Sequence, residues 1–407
     1  MKKRLLIYES IDSGHRLQHP VFLVSSYLRD DSGIDELHVL VPEAFRVRYQ
    51  QYFNQNIDKL KGVHLVYITE KNYLSFGLRA GGLVRAWREL MYVREYVVKH
   101  EITYVHLDNL NRFFYAFLAF RKVNVDFGGI YYAPFPRREK VGKGLVRWLK
   151  FKLSHWRKVV QLYFVLRFSK LKNVYILNDT WSVDYLNSLY STNRFRYLVD
   201  PVWIDAVSSE SQGGVKKERF HFLIFGTISV EKGIGPFFDG LSQLAEKYQR
   251  RIKLHIAGRV REDYRECLNQ LMHALSKNAP MIDCVVDDRF LSVEDMIDYF
   301  SNCDVVVNTN IRTQSASGIM GHAAAWGKPA ISSSTGLYGV LAKEYHLGPV
   351  VDPFKPEQIR QACCMIIDGV NIDFDSRRAE DYCNERQWYC FGGTILNDVG
   401  QIIVPGA

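Results

Sequence analysis

Several small and basic residues lie at positions along the chain where they could bind a phosphate group. Lys232 directly precedes Gly233, while Ser315, Ser317 and Gly318 open a later stretch with a helical pattern. Negative charge on phosphate oxygens is stabilised by cations, backbone amides and helix N-termini, and a small hydroxyl beside a bare backbone permits close approach. These residues predict a phosphate site, with a solvated lysine and an ordinary serine helix cap as the alternatives.

Short apolar runs alternate with helical patterns along the chain. The strands and helices that they predict must position the residues named above. Near-continuous apolar strands separated by amphipathic helices are typical of a parallel sheet covered on both faces. The pattern therefore predicts two doubly wound α/β units in tandem. The strands predicted in the first half are 4–9, 36–41, 63–68, 102–107, 128–133, 173–178 and 195–199. Those predicted in the second half are 221–225, 253–257, 282–286, 304–308, 329–333 and 349–351.

A polar stretch between the two halves marks a domain boundary. Residues 207–218 are rich in Ser, Gly and charge and lack an apolar period, as exposed connections do. We predict a first domain at 1–205, a linker at 206–218, a second domain at 219–375 and a helical tail at 376–407. Two such domains are expected to face each other across a cleft at the carboxyl ends of their strands, the usual place for a ligand.

Composition restricts the class of protein. Of the 407 residues, 47% are hydrophobic and 24% are charged, which supports packed cores and excludes a disordered, collagen-like or repeat-only chain. The apolar run near Met1 is too short for a signal peptide or a membrane span. The seven cysteines have no paired spacing, so we expect neither a disulfide framework nor a zinc site, and a reducing cytosol as the location.

Excess positive charge is concentrated in one segment. Residues 137–172 hold 12 Lys or Arg and one acid, whereas the rest of the chain holds 41 basic and 43 acidic residues. The pattern at 141–168 is helical, with Trp148 and Trp156 on an apolar side and the basic residues on the other. Such a helix favours an anionic membrane surface. A helix packed on its own sheet with a solvated basic face is the alternative; nucleic acid is not expected, because no nucleic-acid motif accompanies the charge.

Three segments of the second half carry a family resemblance. They are Phe225-Gly-Thr-Ile-Ser-Val-Glu-Lys-Gly-Ile234, residues 293–307 and residues 315–331. In order and spacing they resemble the first strand with its glycine loop, the helix with its buried strand, and the donor-binding helix of the group 1 glycosyltransferases. The resemblance implies the GT-B fold, a nucleoside-diphosphate sugar as donor, retention of anomeric configuration, and no metal or other cofactor.

Donor contacts implied by the resemblance fall on Lys232, Ser315, Ser317 and Gly318. The family's arginine after the first glycine of the second domain is replaced here by Thr227. Another cation is then needed at the donor.

Arg259 and Arg261 follow Gly258 at the end of a later strand, and one of them, with Arg259 as our candidate, is expected to supply that positive charge. The family's two acids, eight residues apart on the donor helix, correspond to Gln314 and His322. His322 is expected either to hold a ribose hydroxyl or to pack as a neutral core residue.

The first domain matches the family mainly in layout. Gly14 and His15 follow the first strand and resemble the glycine loop over the reaction centre, with a plain turn as the alternative. His106 and Asp108 close another strand and resemble the family's His-x-His region, where they would hydrogen-bond a sugar hydroxyl or steady positive charge on the donor ring. Tyr132 stands where the family often has a His-Asp pair, and we interpret it as an aromatic at a strand end.

The function expected from these features is transfer of a sugar from a nucleoside diphosphate to a lipid-linked or surface-glycan acceptor. The partners are then a nucleotide sugar, the acceptor and an anionic membrane surface contacted through residues 141–168, and the location is the inner face of the membrane. The missing arginine and acids keep two alternatives open. One is a non-catalytic GT-B relative that serves a transferase as partner or scaffold, and the other is a sugar-nucleotide epimerase.

Overall fold

The chain divides into two compact units, Met1–Asp200 together with Trp388–Ala407, and Pro201–Gln387. Of the helical tail expected at 376–407, the last twenty residues thus belong to the first unit and the remainder to the second. The computed structural model describes residues 2–11, 17–29, 32–77, 82–114, 123, 125–137, 145–202, 218–311 and 318–403.

A parallel sheet forms the centre of the first unit. Its strands are Arg4–Tyr8 (β1), Glu36–Pro42 (β2), Val63–Ile68 (β3), Tyr104–Leu107 (β4), Asp126–Ile130 (β5), Leu171–Leu177 (β6) and Phe195–Leu198 (β7). Among the described residues they pair in the order β3-β2-β1-β4-β5-β6-β7. The helices between them are Gln18–Arg29 (α1), Glu43–Gln55 (α2), Glu70–Ser75 (α3), Gly82–Lys99 (α4), Leu145–Phe168 (α5) and Thr180–Tyr190 (α6).

A second parallel sheet forms the centre of the second unit. Its strands are Phe220–Phe225 (β8), Ile252–Ala257 (β9), Asp283–Asp287 (β10), Val305–Asn308 (β11), Ala330–Ser333 (β12) and Val350–Val351 (β13), in the order β10-β9-β8-β11-β12-β13 in the described part of the chain. Its helices are Ile234–Leu241 (α7), Glu246–Gln249 (α8), Arg265–Asn278 (α9), Val293–Asn302 (α10), Gly318–Ala325 (α11), Gly336–Glu344 (α12), Pro356–Asp368 (α13) and Ser376–Glu385 (α14).

The last helix, Trp388–Ile402 (α15), returns to the first unit and packs against α1. A Cβ on Gly392 would lie 2.1 Å from the Ser26 hydroxyl oxygen of α1, so only glycine allows the two helices to come this close. Arg196 of β7 donates a hydrogen bond to Asp398 of α15 at 2.7 Å. The C-terminal helix is thereby part of the first unit's core rather than a loose tail.

Each sheet has one point where the strand order reverses. In the first unit β1 lies between β2 and β4, and in the second β8 lies between β9 and β11. The loops that leave the carboxyl ends of β1 and β4, and of β8 and β11, therefore diverge to opposite faces and leave a crevice beside those ends. Most of the residues singled out in the sequence follow one of these strands.

The predicted architecture of two doubly wound α/β units is confirmed. The apolar pattern of residues 236–250 predicts a single helix, and this prediction is wrong, because the segment forms two helices, α7 and α8. Between them the chain turns through Ser242 and Gln243, and this turn buries Leu244 in the core. None of the described helices combines the length and apolar character needed to cross a membrane.

Candidate functional site

Two glycines leave the carboxyl edge of the second sheet as bare backbone. Gly226 follows β8 with a φ of 97°, and Gly258 follows β9 with a φ of 134°, both in the region that favours glycine. A Cβ on Gly258 would lie 2.1 Å from the Gly226 carbonyl oxygen, so no larger residue fits there. A ligand could approach the main chain closely at this edge.

The Lys232 ammonium lies at the same edge. Its Nζ donates a hydrogen bond to the Phe225 carbonyl oxygen at 2.8 Å and lies 3.7 Å from the position that a Cβ on Gly226 would occupy. The side chain is half-buried, and it forms no ion pair with any residue in the described part of the chain. A partly desolvated ammonium without a carboxylate partner is stabilised by any anion that binds beside it.

Burial lowers the pKa of Lys232 to about 8, because removal from water disfavours the charged form. The group is still mostly protonated at pH 7. A phosphate bound beside it would favour the charged form and raise the pKa again. The charge state of Lys232 is therefore coupled to the binding of an anion.

The Lys232 turn, the end of β11 and the start of α11 converge on Gly226. A Cβ on Gly233, whose φ is 69°, would lie 2.2 Å from the Thr309 carbonyl oxygen just after β11. Ile319 in the first turn of α11 approaches within 3.8 Å of the position of a Cβ on Gly226. Around Gly318, the first residue of α11, no atom of the described residues is found within 4 Å of a Cβ position apart from its own helix and chain neighbours.

Thr227 and Arg259 are neighbours in this structure. Both are exposed, and the Arg259 carbonyl oxygen accepts a hydrogen bond at 3.0 Å from the backbone N–H of Ile228. The Arg259 guanidinium is close enough to Asp288 to be one of the charges that lower the pKa of that carboxyl, after the Val260 N–H and Arg265. Arg259 is thus placed beside the position where the family's arginine is missing.

His322 lies in α11 and is half-buried. Its ring centroid is 5.5 Å from that of Phe300 and 6.4 Å from that of Trp326. His322 therefore packs against aromatic rings, as expected if it is a core residue and not a ribose contact. The remaining predicted site residues of both units, Gly14, His15, Gln314, Ser315 and Ser317, lie outside the described residues.

A polar cluster lies just beyond the carboxyl end of β4 in the first unit. The fully buried Asp108 places Oδ1 3.0 Å from His19 Nδ1, and the hydroxyl of Tyr132 donates to Asp108 Oδ2 at 3.4 Å. Asn111 fixes Tyr132 by exchanging two hydrogen bonds of 2.7 Å with its backbone. The Phe391 ring of α15, 4.7 Å from the ring of His19, holds the imidazole in place.

Sequence reasoning missed His19 and interpreted Tyr132 as an aromatic at a strand end. The structure brings both to Asp108, although 89 residues separate His19 from Asp108 in the chain. His106, predicted beside Asp108, is fully buried, and neither of its ring nitrogens has a hydrogen-bond partner in the described part of the chain. Burial, and then the neighbouring His19, lowers the pKa of His106 to about 3, so its ring is neutral.

A buried carboxylate, Glu89 of α4, ties together the base of the loop after β1. Its Oε1 accepts hydrogen bonds from Arg85 at 2.9 Å and from Arg112, and its Oε2 accepts from Ser10 at 2.9 Å and from Tyr8 at 3.3 Å. Sequence reasoning missed this residue too. The signal was present, because Glu89 falls on the buried stripe of α4 where every other member is apolar.

Replacing Glu89 with alanine should lower the free energy of unfolding by about 3 kcal/mol, because two arginines lose a buried partner. Chemical denaturation measures the change. The control is Glu95→Ala, an exposed acid of the same helix, for which a change below about 0.5 kcal/mol is expected. Equal effects of the two substitutions would contradict the assigned role of Glu89.

Helix α5 presents apolar side chains to solvent. Its opposite face carries the buried Leu162 and Val165, so the expected division into one apolar and one basic side was wrong. The exposed basic residues Lys150, Arg157 and Arg167 instead flank or interrupt an apolar stripe. This apolar stripe consists of Trp148, Leu149, Leu153, Trp156, Val160, Tyr163, Phe164 and Phe168. Residues 141–144, at the start of the expected helix, lie outside the described part of the chain.

Comparison with known proteins identifies similar sequences and folds. Residues 219–368 match the family described as glycosyl transferases group 1. No curated protein matches the chain by sequence.

Solved structures resemble the whole chain. HepE of Anabaena, crystallised with UDP and glucose, has a TM-score of 0.67 at 14% identity, with 98% of this chain and all of HepE aligned. WaaG, a glycosyltransferase involved in lipopolysaccharide biosynthesis, has a TM-score of 0.65 at 14% identity, over 99% of this chain and 100% of WaaG. The lipopolysaccharide outer core galactosyltransferase WaaB has a TM-score of 0.62 at 12% identity, over 98% of this chain and 100% of WaaB.

Proposed function

We propose that this chain, whose residues 219–368 match the group 1 glycosyl transferases, transfers a sugar from a nucleoside diphosphate to a lipid-linked or surface-glycan acceptor. The observation that carries the proposal is Lys232. Among the described residues its ammonium, which is half-buried, has a carbonyl oxygen as partner and no carboxylate, and it lies beside bare backbone at the point where the strand order of the sheet reverses. That arrangement suits a diphosphate leaving group.

Departure of the diphosphate builds negative charge on its oxygens, and the second unit offers groups to stabilise it. Lys232 supplies a cation, and the N-terminus of α11 supplies amides with a favourable dipole. We propose that these groups act without a metal ion. UDP is the nucleotide to test first, because HepE, which has a similar fold, binds it.

In the first unit, Asp108 is proposed to act on the sugar. A carboxylate held by His19 and Tyr132 stabilises positive charge that develops on a sugar ring when its bond to phosphate lengthens. We further propose that the anomeric configuration is retained, with a phosphate oxygen of the donor helping to deprotonate the acceptor. A product of inverted configuration, identified by NMR, would contradict retention.

The function is tested by the thermal stability of the purified protein in the presence of a panel of nucleoside diphosphates and sugar nucleotides. A ligand that binds only the folded state stabilises it by about 2.7 kcal/mol at a hundredfold excess over Kd. We expect stabilisation by UDP and turnover of one UDP-sugar only when an acceptor is supplied. Turnover without an acceptor would indicate an epimerase, and no nucleotide binding by the folded protein would indicate a non-catalytic relative.

A lipid-linked acceptor requires the protein to reach a membrane surface, and the apolar stripe of α5 suits that role. Leu153 is 74% exposed and Trp156 is 62% exposed, an arrangement that leaves large apolar side chains in water unless another surface covers them. Flanking Lys and Arg each contribute about 1 kcal/mol of attraction to anionic lipids. We therefore propose that α5 lies in the headgroup region of an anionic membrane, on its inner face.

Flotation with phosphatidylglycerol-containing and neutral vesicles tests this membrane contact. The double substitution Leu153→Glu and Trp156→Glu should weaken vesicle binding by at least roughly tenfold, because burying each side chain contributes about 1.5–3 kcal/mol. Both side chains are exposed, so the fold should be unaffected.

Phe354→Glu, at a side chain of the second unit that is 61% exposed, is the matched control and should float like the unchanged protein. Binding that ignores lipid charge, or that survives the double substitution, would contradict the proposed contact.

A further inference from the structure

Three potential metal ligands lie together at the amino ends of β2 and β3, in a part of the first unit that no step above uses. Glu36, His38 and His64 each offer one ligand atom, and these atoms all lie within 4.8 Å of one another. His38 and His64 are register partners on neighbouring strands, so both rings project from the same face of the sheet, with centroids 4.4 Å apart. An open pocket of about 610 Å³ borders them.

The buried imidazole of His38 is aimed at this cluster. The residue is 4% exposed, and its Nε2 has no hydrogen-bond partner in the described part of the chain; Glu36 Oε2, the nearest acid oxygen, lies 3.7 Å away. The other ring nitrogen, Nδ1, lies 2.9 Å from the hydroxyl of Tyr96. In the tautomer in which Nδ1–H donates to Tyr96, the lone pair of Nε2 points to the cluster, which is how a hydrogen bond usually orients a metal-bound histidine.

We propose that Glu36, His38 and His64 bind a Zn²⁺ ion. Two imidazoles and a carboxylate are a ligand set that zinc accepts, and three protein ligands leave one position for water. In a tetrahedral site with bonds of about 2.0–2.1 Å, ligand atoms lie about 3.3 Å apart, so atoms that are now up to 4.8 Å apart must approach by as much as about 1.5 Å. The ring of His64, which is stacked on that of His38, must also rotate so that both lone pairs point to one ion. His64 is exposed on an edge strand and is free to make that movement.

Charges of both signs border this position, since Lys99 and Arg4 line the pocket together with Glu36 and Glu101. Glu36 is paired with Lys2 and Arg4 at 2.7 Å each, but Arg4 also holds Glu101 at 2.7 Å and keeps that partner when Glu36 turns to the metal. The C-terminus of α4 borders the pocket and contributes its partial negative charge. The sequence predicts no metal here because the spacing of residues 36, 38 and 64 has no metal signature; only the pairing of β2 with β3 assembles the set.

Titration of untagged, metal-free protein with Zn²⁺ against a chromophoric chelator tests the site. We expect one Zn²⁺ per chain and a rise in Tm on binding, both of which His64→Gln should weaken, the affinity by roughly 100-fold. His64 is exposed, so this variant should fold normally. His273→Gln, at an exposed histidine of α9, is the control and should bind Zn²⁺ like the unchanged protein.

Cobalt substitution identifies the ligand atoms. Co²⁺ in this site should show only weak d–d absorption, whereas binding to any of the seven cysteines would add a strong thiolate-to-metal band. Absence of stoichiometric Zn²⁺ binding, a thiolate band, or equal affinities of His64→Gln and the unchanged protein would each overturn the proposal. The proposal does not depend on sugar transfer, and its test uses the metal alone.

Discussion

Replacing Lys232 with alanine is expected to weaken UDP binding roughly 10- to 100-fold and to slow sugar transfer by a further factor of about 10²–10³. The first effect follows from the loss of a charge-assisted hydrogen bond worth about 1.5–3 kcal/mol. The second follows because negative charge on the diphosphate is greatest in the transition state. Isothermal titration calorimetry gives the first quantity, and the rate of UDP release from the UDP-sugar gives the second.

A pH profile separates the charge of Lys232 from its packing. Since burial lowers the pKa of Lys232 to about 8, the protonated, binding-competent form prevails below that pH and is lost above it. The Kd for UDP should therefore be roughly tenfold weaker at pH 9 than at pH 7. In Lys232→Ala the Kd should barely change across the same range.

Lys328→Ala provides a matched control for both measurements. The Lys328 ammonium also donates to a backbone carbonyl oxygen, that of Ser301 at 3.1 Å, but it follows the far end of α11. We expect this variant to bind UDP like the unchanged protein, with the same pH dependence. If Lys328→Ala and Lys232→Ala behave alike, the donor site does not lie at Lys232.

Replacing Asp108 with asparagine is expected to reduce the kcat for transfer by about 10²–10⁴ and to leave the Kd for UDP unchanged. The amide keeps the shape of the side chain but removes the negative charge that His19 and Tyr132 hold in place. UDP binding should not change because the proposed nucleotide site belongs to the second unit. Steady-state rates at saturating donor, combined with calorimetry, test both parts.

Two further variants show whether a lower transfer rate in Asp108→Asn is caused by the lost carboxylate charge or by a damaged fold. Asp126→Asn removes an acid at the amino end of β5, where it lies 3.7 Å from Lys172, and should leave the rate unchanged. Tyr132→Phe removes a hydroxyl that lies 3.4 Å from Asp108 Oδ2 and 3.3 Å from His19 Nδ1 but keeps the carboxylate, and it should cost roughly a tenth of the Asp108→Asn effect. A full rate in Asp108→Asn, with the protein folded by circular dichroism, would exclude the carboxylate from the reaction.

Local patterns in the sequence predicted most of the regular structure. All thirteen predicted strands correspond to a strand of the described structure, with bounds that differ by at most three residues, because each is a short apolar run that must be buried. Helix α10 begins where predicted because Ser292 caps it and Asp295 completes the capping box. The family resemblance, which depends on ordered motifs in one segment, was confirmed on residues 219–368.

Side-chain partners were predicted less well, since they depend on contacts between distant segments. Periodicity places Glu89 on the apolar side of α4, but its partners Arg112 and Ser10 come from two other segments that the pattern cannot identify. The role of His19 is apparent only from its contact with Asp108. The proposed role of His38 is apparent only from its position beside His64 on the neighbouring strand. Periodicity shows which face of an element is apolar but not which polar groups will meet beneath it.

The sequence by itself determined the two doubly wound units, the glycine and lysine of the loop after β8 and the basic character of α5, because these depend on residue type and local spacing. Only the tertiary structure decided that the apolar stripe of α5 faces solvent, that no acid of the described residues pairs with Lys232 and that Asp108 is held by His19 and Tyr132. The physical reason is that burial and charge pairing are properties of the packed chain. The order of strands in each sheet sets both, by choosing which loops and helices become neighbours.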